Sequence, residues 1–329
     1  MRQGDPLSPY LFIICAEGLS AIIQEYEHKG LIHGCKVARA APRISHLFFA
    51  DDSFFFFKAT MSESEKVKEC LNLYEKASGQ IINFQKSSIS FSYNVHSLLK
   101  EEICSFFNVT GTIDHGKYLG IPSCVGRNKK EIFSFIKDKA WKRIQGWKRR
   151  SLSKAGKEIL LKTVIQSVPM YVMQVFLLPI FLCSELERMM NSFWWDKNGL
   201  NSRGINWMLW DKLCVHQSKG GLRFKKLHDF NVALLGKQGW KLLTDSESLV
   251  GRVFKARYFP KSSMLEAEMG TNPSFIWRSI MAAQNLLKRE QDGGSEGVTK
   301  YMSFMIHGYR MSRTLMWNLL HHLDWKTLL

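Results

Sequence analysis

Apolar residues recur at every third or fourth position along several stretches of the chain, and this spacing predicts amphipathic helices. The first stretch follows a turn at Asp5-Pro6, with Ser8 as a candidate N-cap and Pro9 suited to the first helical position. The side chains expected to face inward from this helix are Leu11, Phe12, Cys15, Leu19, Ile22 and Ile23. The sequence thus predicts a helix packed on a core by one face.

A second amphipathic helix is predicted from Ser62 to Ala77. Ser62 and Glu65 have the spacing of a capping box, and Gly79 provides a helix stop. The inward face contains Val67, Leu71 and Tyr74. Two short strands, Ile81–Phe84 and Ile89–Phe91, are expected after this helix.

Between the two helices lie two apolar, aromatic-rich runs separated by acidic residues, a pattern that predicts a β-hairpin. The runs are Leu47–Ala50 and Phe54–Phe57, with Asp51, Asp52 and Ser53 between them. Runs without polar positions indicate strands covered on both faces. The tip must reach water or a cation, because burying unpaired carboxylates is costly.

The remainder of the chain is predicted to be mostly helical. Two apolar stripes follow residue 125: Ile132, Ile136, Ala140 and Ile144, then Leu160, Leu161, Val164, Ile165 and Val168. Tryptophan-rich helical runs then alternate with glycine breaks such as Gly220-Gly221. The apolar segment Val168–Cys183 is too short to cross a membrane and is interrupted by prolines, so we interpret it as part of a core.

The charge of the chain indicates a polyanionic partner. Lys and Arg number 46 against 29 Asp and Glu, a net charge of +17, and such a field attracts nucleic acid or an anionic membrane. Thirteen basic residues and three acidic residues lie between Arg127 and Lys162. This concentration favours a binding surface over general solubility.

The cysteines and the N-terminal residues indicate an intracellular protein. The seven cysteines stand singly without a CxxC pair, which favours reduced thiols. Cys214 and His216 form the one short Cys/His pairing, which is too few ligands for a zinc site. The opening residues lack a signal-peptide pattern. We therefore expect a nuclear or cytoplasmic location.

Adjacent carboxylates at the tip of an apolar hairpin repel each other, and a divalent cation would offset that repulsion. Neighbouring side chains of a strand point to opposite faces, so one of Asp51 and Asp52 would be the main ligand and the other a support. The alternative is a solvated turn, because Asp is common in turns. For an isolated Asp pair the solvated turn is the more frequent case. Here the flanking residues shift the balance toward a cation-binding site.

Four motifs, in order, resemble those of the reverse transcriptases of non-LTR (LINE-type) retrotransposons. Phe49-Ala50-Asp51-Asp52 resembles the catalytic hairpin, and Arg2-Gln3-Gly4-Asp5-Pro6-Leu7-Ser8-Pro9 resembles the loop that contacts template and nucleotide. Ser78-Gly79-Gln80-Ile81-Ile82-Asn83, followed by Lys86 and Ser87, resembles the next palm motif. Tyr118-Leu119-Gly120 resembles the primer-gripping hairpin.

The resemblance implies an α+β fold, in which a partial palm of antiparallel strands packed on helices precedes a helical thumb and a helical post-thumb region. The corresponding divisions are a palm at 1–124, a basic thumb at 125–190, a Trp-rich region at 191–290 and a divergent, poorly ordered tail at 291–329. The implied partners are an RNA template and a DNA primer, without a membrane. The oligomeric state is not implied.

The resemblance also assigns roles to individual residues. Asp51 and Asp52 would bind Mg²⁺ or Mn²⁺ in two-metal nucleotidyl transfer, and Lys86 would donate to the leaving phosphate or, equally, be a solvated surface lysine. The expected template and nucleotide contacts are Arg2, Gln3, Gly4 and Pro6. The expected primer-grip residues are Tyr118, Leu119 and Gly120.

The basic segment interleaves cations with aromatic residues, a composition suited to phosphate contact with base or sugar stacking. The candidate nucleic-acid contacts are Trp141, Lys142, Arg143, Trp147, Lys148, Arg149, Arg150, Lys154 and Lys157. The alternative is a solvated helix face with core tryptophans.

One departure from the family bears on activity. The family places another metal-binding Asp on a palm strand upstream of the Gln-Gly loop, together with fingers, and this sequence contains neither. We therefore expect no polymerase activity from this chain alone. The alternatives to a reverse transcriptase fragment are a non-catalytic nucleic-acid-binding protein and an inert product of a decayed element.

Overall fold

A computed structural model describes residues 4–112, 117–118, 121–122, 128–148, 151–195 and 205–291, with the backbone alone at 117, 118, 121, 122, 290 and 291. The helices are α1 Ser8–His28, α2 Met61–Ser78, α3 Ser97–Phe107, α4 Lys129–Ile132, α5 Ser134–Lys148, α6 Lys154–Leu160, α7 Met170–Met173, α8 Ile180–Trp194, α9 Trp210–Cys214, α10 Leu227–Thr244, α11 Leu249–Tyr258, α12 Phe275–Met281 and α13 Gln284–Gln291. The strands are β1 His46–Phe49, β2 Asp52–Phe55, β3 Ser88–Ile89, β4 Thr110–Gly111, β5 Lys117–Tyr118 and β6 Ile121–Pro122. Short 3₁₀ helices span Phe84–Lys86 and Gln217–Lys219, and a π-helical turn spans Leu161–Ile165.

The described residues form two compact units. The first, the N-terminal unit, contains residues 4–118 and Glu247–Pro260, and the second, the helical unit, contains residues 121–246 and 261–291. The mixture of helices with small sheets confirms the α+β fold class. The divisions at 124, 190 and 290 remain predictions.

In the N-terminal unit, three helices enclose one apolar core. Helix α1 packs on α2, and α2 on α3. The buried members of this core are Leu19, Ile23, Ile32, Val67, Cys70, Leu71, Tyr74, Ile103, Phe107 and Val109. The inward positions predicted for α2 are confirmed. For α1 the prediction was too broad: Leu19 and Ile23 are buried, whereas Leu11 is exposed, because the first half of the helix extends beyond the core.

Both predicted helix caps were placed wrongly. In α1, Ser8 is already helical, and the Asp5 Oδ1 atom accepts a hydrogen bond from the Leu7 N–H at 3.0 Å. In α2 the cap is Thr60, whose hydroxyl accepts from the Glu63 N–H at 3.3 Å. The helix stop at Gly79 is confirmed, since this residue has a φ of 71°, which favours glycine.

Glu63 is a buried carboxylate that connects the hairpin to α2. It is 6% exposed and accepts hydrogen bonds from the backbone N–H groups of His33 and Lys58, each at 3.0 Å. Its other oxygen lies 2.8 Å from the His33 Nδ1 atom. These contacts fix the segment that follows β2, because a buried carboxylate is stable only when it is hydrogen-bonded.

The strand prediction at Ile81–Phe84 is wrong. Ile81 is 88% exposed, and Phe84–Lys86 is a 3₁₀ turn capped by the Asn83 side chain. The second predicted strand, Ile89–Phe91, is present only as the shorter β3, Ser88–Ile89, which pairs in parallel with β4.

The helical unit has an apolar core with aromatic residues at its centre. The rings of Phe133, Phe176 and Phe275 lie 5.4–6.4 Å apart between centroids, and Phe133 and Phe176 are almost completely buried. The interpretation of Val168–Cys183 as a core segment is confirmed by its buried residues, Val172, Met173, Val175, Phe176, Leu178, Leu182 and Cys183. None of the described helices is both long and apolar enough to cross a membrane.

The predicted glycine break at Gly220-Gly221 is confirmed and has two causes. Gly220 has a φ of 79°, in the left-handed region. A Cβ atom at Gly221 would lie 2.0 Å from the Val215 carbonyl oxygen, so a larger residue cannot occupy this position without movement of the backbone.

Asn231 of α10 binds three backbone groups of the chain between α7 and α8 inside the helical unit. Its side chain is fully buried, donates to the carbonyl oxygens of Met173 at 2.8 Å and Phe176 at 3.0 Å, and accepts from the Leu178 N–H at 2.7 Å. The turn between α7 and α8 has these polar groups because its backbone leaves helical geometry there. One side chain therefore satisfies three buried backbone groups.

We predict that Asn231→Ala lowers the free energy of unfolding by about 3–5 kcal/mol, because each unsatisfied buried group costs about 1–3 kcal/mol and the site can relax in part. Urea denaturation followed by circular dichroism measures this change. The control is Asn72→Ala at an exposed position of α2, which should lie within about 0.5 kcal/mol of the wild type. Equal stability of the two variants would contradict the role of Asn231.

Candidate functional site

The Asp51-Asp52 pair lies at the tip of a tight two-stranded hairpin. Strands β1 and β2 are antiparallel, with Phe49 opposite Asp52 and His46 opposite Phe55, so Ala50 and Asp51 form the turn. Both acids are exposed, which confirms that the tip reaches solvent. The strands themselves are half-buried around buried Leu47, rather than covered on both faces as predicted, because the sheet has only two strands.

Ala50 holds an unfavourable backbone conformation in this turn. Its φ is +49°, a region that costs a residue with a Cβ atom about 1 kcal/mol. Such strain persists only where the surrounding structure enforces it, and it is concentrated at functional sites. The short turn therefore presents the two carboxylates at a defined position instead of in a relaxed loop.

The two carboxylates do not complete a metal site by themselves. Mg²⁺ requires near-octahedral oxygen coordination, with protein carboxylates supplying part of it. Across the residues that the structure describes, no three His, Cys, Asp or Glu side chains come together to hold an ion. Asp51 and Asp52 alone would leave most of the coordination sphere of such an ion unfilled, so no chemical step through a metal is built on the described residues.

Cys214 and His216 gain no third His, Cys, Asp or Glu ligand among the residues that the structure describes. The His216 ring accepts a hydrogen bond from the Ser218 N–H at 3.1 Å. Burial raises the pKa of the Cys214 thiol to about 12.

His46 joins the base of the hairpin to α1. Its Nε2 atom lies 2.9 Å from the Ser20 hydroxyl of α1, and its Nδ1 atom lies 3.2 Å from the Ser45 hydroxyl. Its ring also contacts that of Phe48, with centroids 4.8 Å apart. Burial lowers the pKa of His46, although the carboxylates of Glu27 and Glu17 oppose this shift. A neutral imidazole therefore holds β1 against the helix.

The predicted template and nucleotide contacts are described only in part. Gly4 has a φ of 92°, a conformation that glycine adopts readily, and Pro6 follows it in the turn before α1. Arg2 and Gln3 lie outside the described residues. The Ser20–His46 contact joins the helix that follows this turn to the hairpin.

The other predicted palm positions are Lys86 and the primer-grip residues Tyr118, Leu119 and Gly120. Lys86 is exposed at the end of a 3₁₀ turn, so both its functional and its solvated interpretations remain open. Tyr118 ends β5, while Leu119 and Gly120 lie outside the described residues. Their role in a primer grip remains a prediction.

Helix α5 separates an apolar face from a basic face. Ile136, Ala140 and Ile144 are buried, as predicted. Lys142 and Arg143 are exposed, and Lys139, which sequence reasoning missed, lies three and four residues before them on the same side of the helix. The three- and four-residue spacing from Lys139 to Lys142 and Arg143 is the sequence signal that could have identified Lys139. Three cations within one turn form the basic face of α5.

Three other lysines that were predicted to contact nucleic acid pack against aromatic rings: Lys148, Lys154 and Lys157. The Lys148 ammonium lies 5.6 Å from the centroid of the Trp141 ring, and burial lowers the pKa of Lys148. The Lys154 ammonium donates to the Trp194 carbonyl oxygen at 2.7 Å and lies about 5 Å above two indole rings.

Lys157 is 5% exposed, with its ammonium 5.8 Å from the centroid of the Phe193 ring. The half-buried indole of Trp147 packs on the same ring, with centroids 6.0 Å apart. Arg149 and Arg150 lie outside the described residues. A buried ammonium is poorly placed to meet a phosphate, so we leave Lys157 out of the surface proposed to bind nucleic acid.

Comparison with known proteins agrees with this arrangement of the N-terminal unit. Residues 1–123 match the family described as "Reverse transcriptase (RNA-dependent DNA polymerase)". The chain is 43% identical over 124 residues to the "Uncharacterized mitochondrial protein AtMg00310" of Arabidopsis thaliana, which is 37% of this chain and 80% of that protein. This chain belongs to the same family as that Arabidopsis thaliana protein. The resemblance inferred from the motifs is confirmed for residues 1–123, the span that matches the reverse transcriptase family, which we call the reverse transcriptase domain.

Two further Arabidopsis thaliana proteins are similar over shorter spans. The "Putative ribonuclease H protein At1g65750" is 30% identical over 138 residues, 42% of this chain and 22% of that protein. The "Uncharacterized mitochondrial protein AtMg01250" is 53% identical over 53 residues, 16% of this chain and 43% of that protein. Within the reverse transcriptase domain, His46 stands five residues before Asp51 and was missed by sequence reasoning, because only the fold brings it to Ser20.

We predict that His46→Gln removes an acid-sensitive part of the stability of the reverse transcriptase domain. Because its folded pKa is lowered, the unfolded chain binds the proton more readily. The stability due to neutral His46 is complete above the ordinary His pKa of about 6.5 and is lost as pH falls from there through the lowered folded value. The wild type should therefore lose more stability between about pH 7 and pH 5 than the variant.

Urea midpoints measured across this pH range test the prediction. His28→Gln, at an exposed position of the same domain, controls for the loss of one imidazole and should keep the wild-type acid response. If His46→Gln loses as much stability on acidification as the wild type does, His46 is not the responsible group.

Proposed function

We propose that this chain is a nucleic-acid-binding part of the RNA-directed DNA polymerase of a non-LTR retroelement, with an RNA template and a DNA primer as its partners. The observation that carries the binding proposal is the basic face of α5, formed by Lys139, Lys142 and Arg143 opposite a buried aliphatic stripe. The non-LTR assignment is supported by the form and order of the four palm motifs, including Phe49-Ala50-Asp51-Asp52.

The chemistry of the basic face suits a phosphate backbone. Lysine and arginine side chains at three- and four-residue spacing follow one side of a helix, where consecutive phosphates can be met without distortion. Gly146 lies one turn further along this side, and a Cβ atom there would meet nothing within 4 Å. A backbone can therefore approach the helix closely at that point.

The net charge of the chain supports binding from a distance. A net charge of +17 creates a positive field that attracts nucleic acid over roughly a Debye length, about 10 Å at moderate salt.

We do not propose that the chain by itself catalyses DNA synthesis. Asp51 and Asp52 are the acids that the family resemblance assigns to Mg²⁺ or Mn²⁺, and they need further ligands to complete such a centre. We propose that the 329-residue chain binds a template–primer duplex but does not extend it.

The binding experiment is a salt titration of affinity for a fluorescent RNA–DNA template–primer, measured by anisotropy. In the variant Lys142→Glu/Arg143→Glu, the slope of log affinity against log salt should fall by about 2, since each lost phosphate contact removes about 1. Affinity at low salt should fall with it.

The matched control is Lys212→Glu/Lys288→Glu, which makes the same change in net charge at two exposed lysines away from α5. It should retain most of the wild-type slope, and Asp51→Asn should retain the affinity. If both double variants lose the same slope, binding follows net charge and not the basic face. Wild-type affinity that does not change with salt would contradict the proposal itself.

A further inference from the structure

A loop of the N-terminal unit carries three exposed cations and no acidic residue. This basic loop, residues 35–44, lies between α1 and β1 and contains Lys36, Arg39 and Arg43, all of which are exposed. Residues 28–50 include neither Asp nor Glu. Within the described ranges, none of the three side chains forms an ion pair. The basic loop is therefore a compact site of uncompensated positive charge outside α5.

The fold anchors the basic loop at its ends and along its length. The backbones of Cys35 and Ile44 exchange two hydrogen bonds of 2.9 Å, which close the base of the loop. Four apolar side chains hold it to the unit and are only 2–4% exposed: Cys35, Val37, Ala41 and Ile44. A Cβ atom at Gly34 would lie 2.8 Å from the Ile44 carbonyl group, so the two backbones approach closely there. A loop anchored in this way loses little conformational entropy when a ligand binds.

The backbone pairing places two of the cations opposite each other. Lys36 follows Cys35 and Arg43 precedes Ile44, and neighbouring side chains of an extended chain point to opposite sides. Because Cys35 and Ile44 are buried, Lys36 and Arg43 both face solvent, at positions where cross-strand Cβ atoms are about 5 Å apart. Like charges in this arrangement destabilise the fold. A bound polyanion would remove that repulsion.

The acidic tip of the hairpin does not neutralise the basic loop. Strand β1 lies between the loop and the turn with Asp51 and Asp52, and its four residues span about 13 Å at about 3.3 Å per residue. The charge of the loop is thus open to a ligand. Nucleic acid matches its scale, because each strand of a duplex has one phosphate per about 3.4 Å along the axis. Several phosphates of one strand would therefore lie within reach of the three cations.

We propose that the basic loop is a second nucleic-acid contact of this chain, in which Lys36, Arg39 and Arg43 bind phosphates of the template–primer. Arginine suits this role because its planar fork binds a phosphate through two parallel hydrogen bonds. The inference rests on the nucleic-acid binding proposed above but uses residues of the N-terminal unit, whereas α5 belongs to the helical unit. Contacts of this kind position a nucleic acid without reading its sequence.

The test is a salt titration of affinity for the fluorescent RNA–DNA template–primer, with the full chain carrying Lys36→Gln/Arg43→Gln. The slope of log affinity against log salt should fall by about 2 relative to the wild type, because each lost phosphate contact removes about 1. The matched control, Lys76→Gln/Lys100→Gln, removes the same net charge from α2 and α3 of the same unit and should retain most of the slope. Equal losses in the two double variants would overturn the proposal, because binding would then follow net charge.

Comparison with the α5 variant separates this proposal from the one for α5. A loss of slope in Lys142→Glu/Arg143→Glu but not in Lys36→Gln/Arg43→Gln would overturn the basic loop as a contact and leave the α5 proposal intact. A loss in the loop variant alone would support the basic loop and contradict the α5 proposal. Wild-type binding to phosphatidylserine vesicles but not to the template–primer, lost in the loop variant, would assign the loop to a membrane surface and overturn the proposal.

Lysine labelling of the wild type gives a readout that does not depend on variants. Acetylation by N-hydroxysuccinimide acetate, followed by mass spectrometry, should be slower at Lys36 when the template–primer is bound and unchanged at Lys76. The loop variant should also match or exceed the wild-type urea midpoint, because a pair of like charges is removed. A labelling rate at Lys36 that the template–primer leaves unchanged would overturn the proposal. A lower midpoint would also overturn it, because the cations would then serve the fold.

Discussion

Electrostatic repulsion between two adjacent carboxylates is the constraint on which the N-terminal unit depends. Asp51 and Asp52 repel each other least in water, so the turn that carries them must remain at the surface while the strands beside it are held in place. The fold meets both requirements. Half-buried phenylalanines pack the strands on the α1–α2–α3 core, and a strained Ala50 keeps the turn short.

The connections on either side of this hairpin are polar and specific. His46 holds the entering strand to Ser20 of α1, and Glu63 holds the chain that leaves the second strand. Both groups are at least half-buried, where a hydrogen bond is stronger than in water. The carboxylate tip is thus supported from two helices. Such rigidity is what the proposed role of Asp51 and Asp52 would require, because catalytic groups must be held in a defined position.

The helical unit contains many cations, in contrast to the acidic tip of the hairpin. Some of its cations lie on the exposed side of α5, and others lie over aromatic rings. The rings fill the core and hold lysine stems, which explains why tryptophan and phenylalanine are frequent among the lysines of this region. On α5, Lys139, Lys142 and Arg143 offer their charge at contact distance.

Much of this arrangement could be predicted from local patterns. The hairpin, α2 with its stop at Gly79, the aliphatic stripe of α5 and the glycine break at Gly220-Gly221 each depend on residues close together in sequence. The helix cap at Thr60 and the start of α1 after Leu7 were missed, because neighbouring Ser, Thr and Asp residues compete for the cap role and geometry decides.

The contacts of His46, Glu63 and Asn231 join residues 26 or more positions apart, so no short pattern contains them. The strand predicted at Ile81–Phe84 failed because β propensity alone does not provide a pairing partner. Leu11 of α1 was likewise assigned to the core but is exposed, since periodicity identifies an apolar face but not what covers it.

We propose that the hairpin of the reverse transcriptase domain would supply part of a catalytic metal centre, which the described residues do not complete. Primer extension on an RNA template with Mg²⁺ or Mn²⁺, by the purified 329-residue chain, tests it most directly. The account predicts duplex binding without extension, and no difference in product between the wild type and Asp51→Ala. Processive extension that Asp51→Ala abolishes would contradict it, because the carboxylates would then belong to a complete active site.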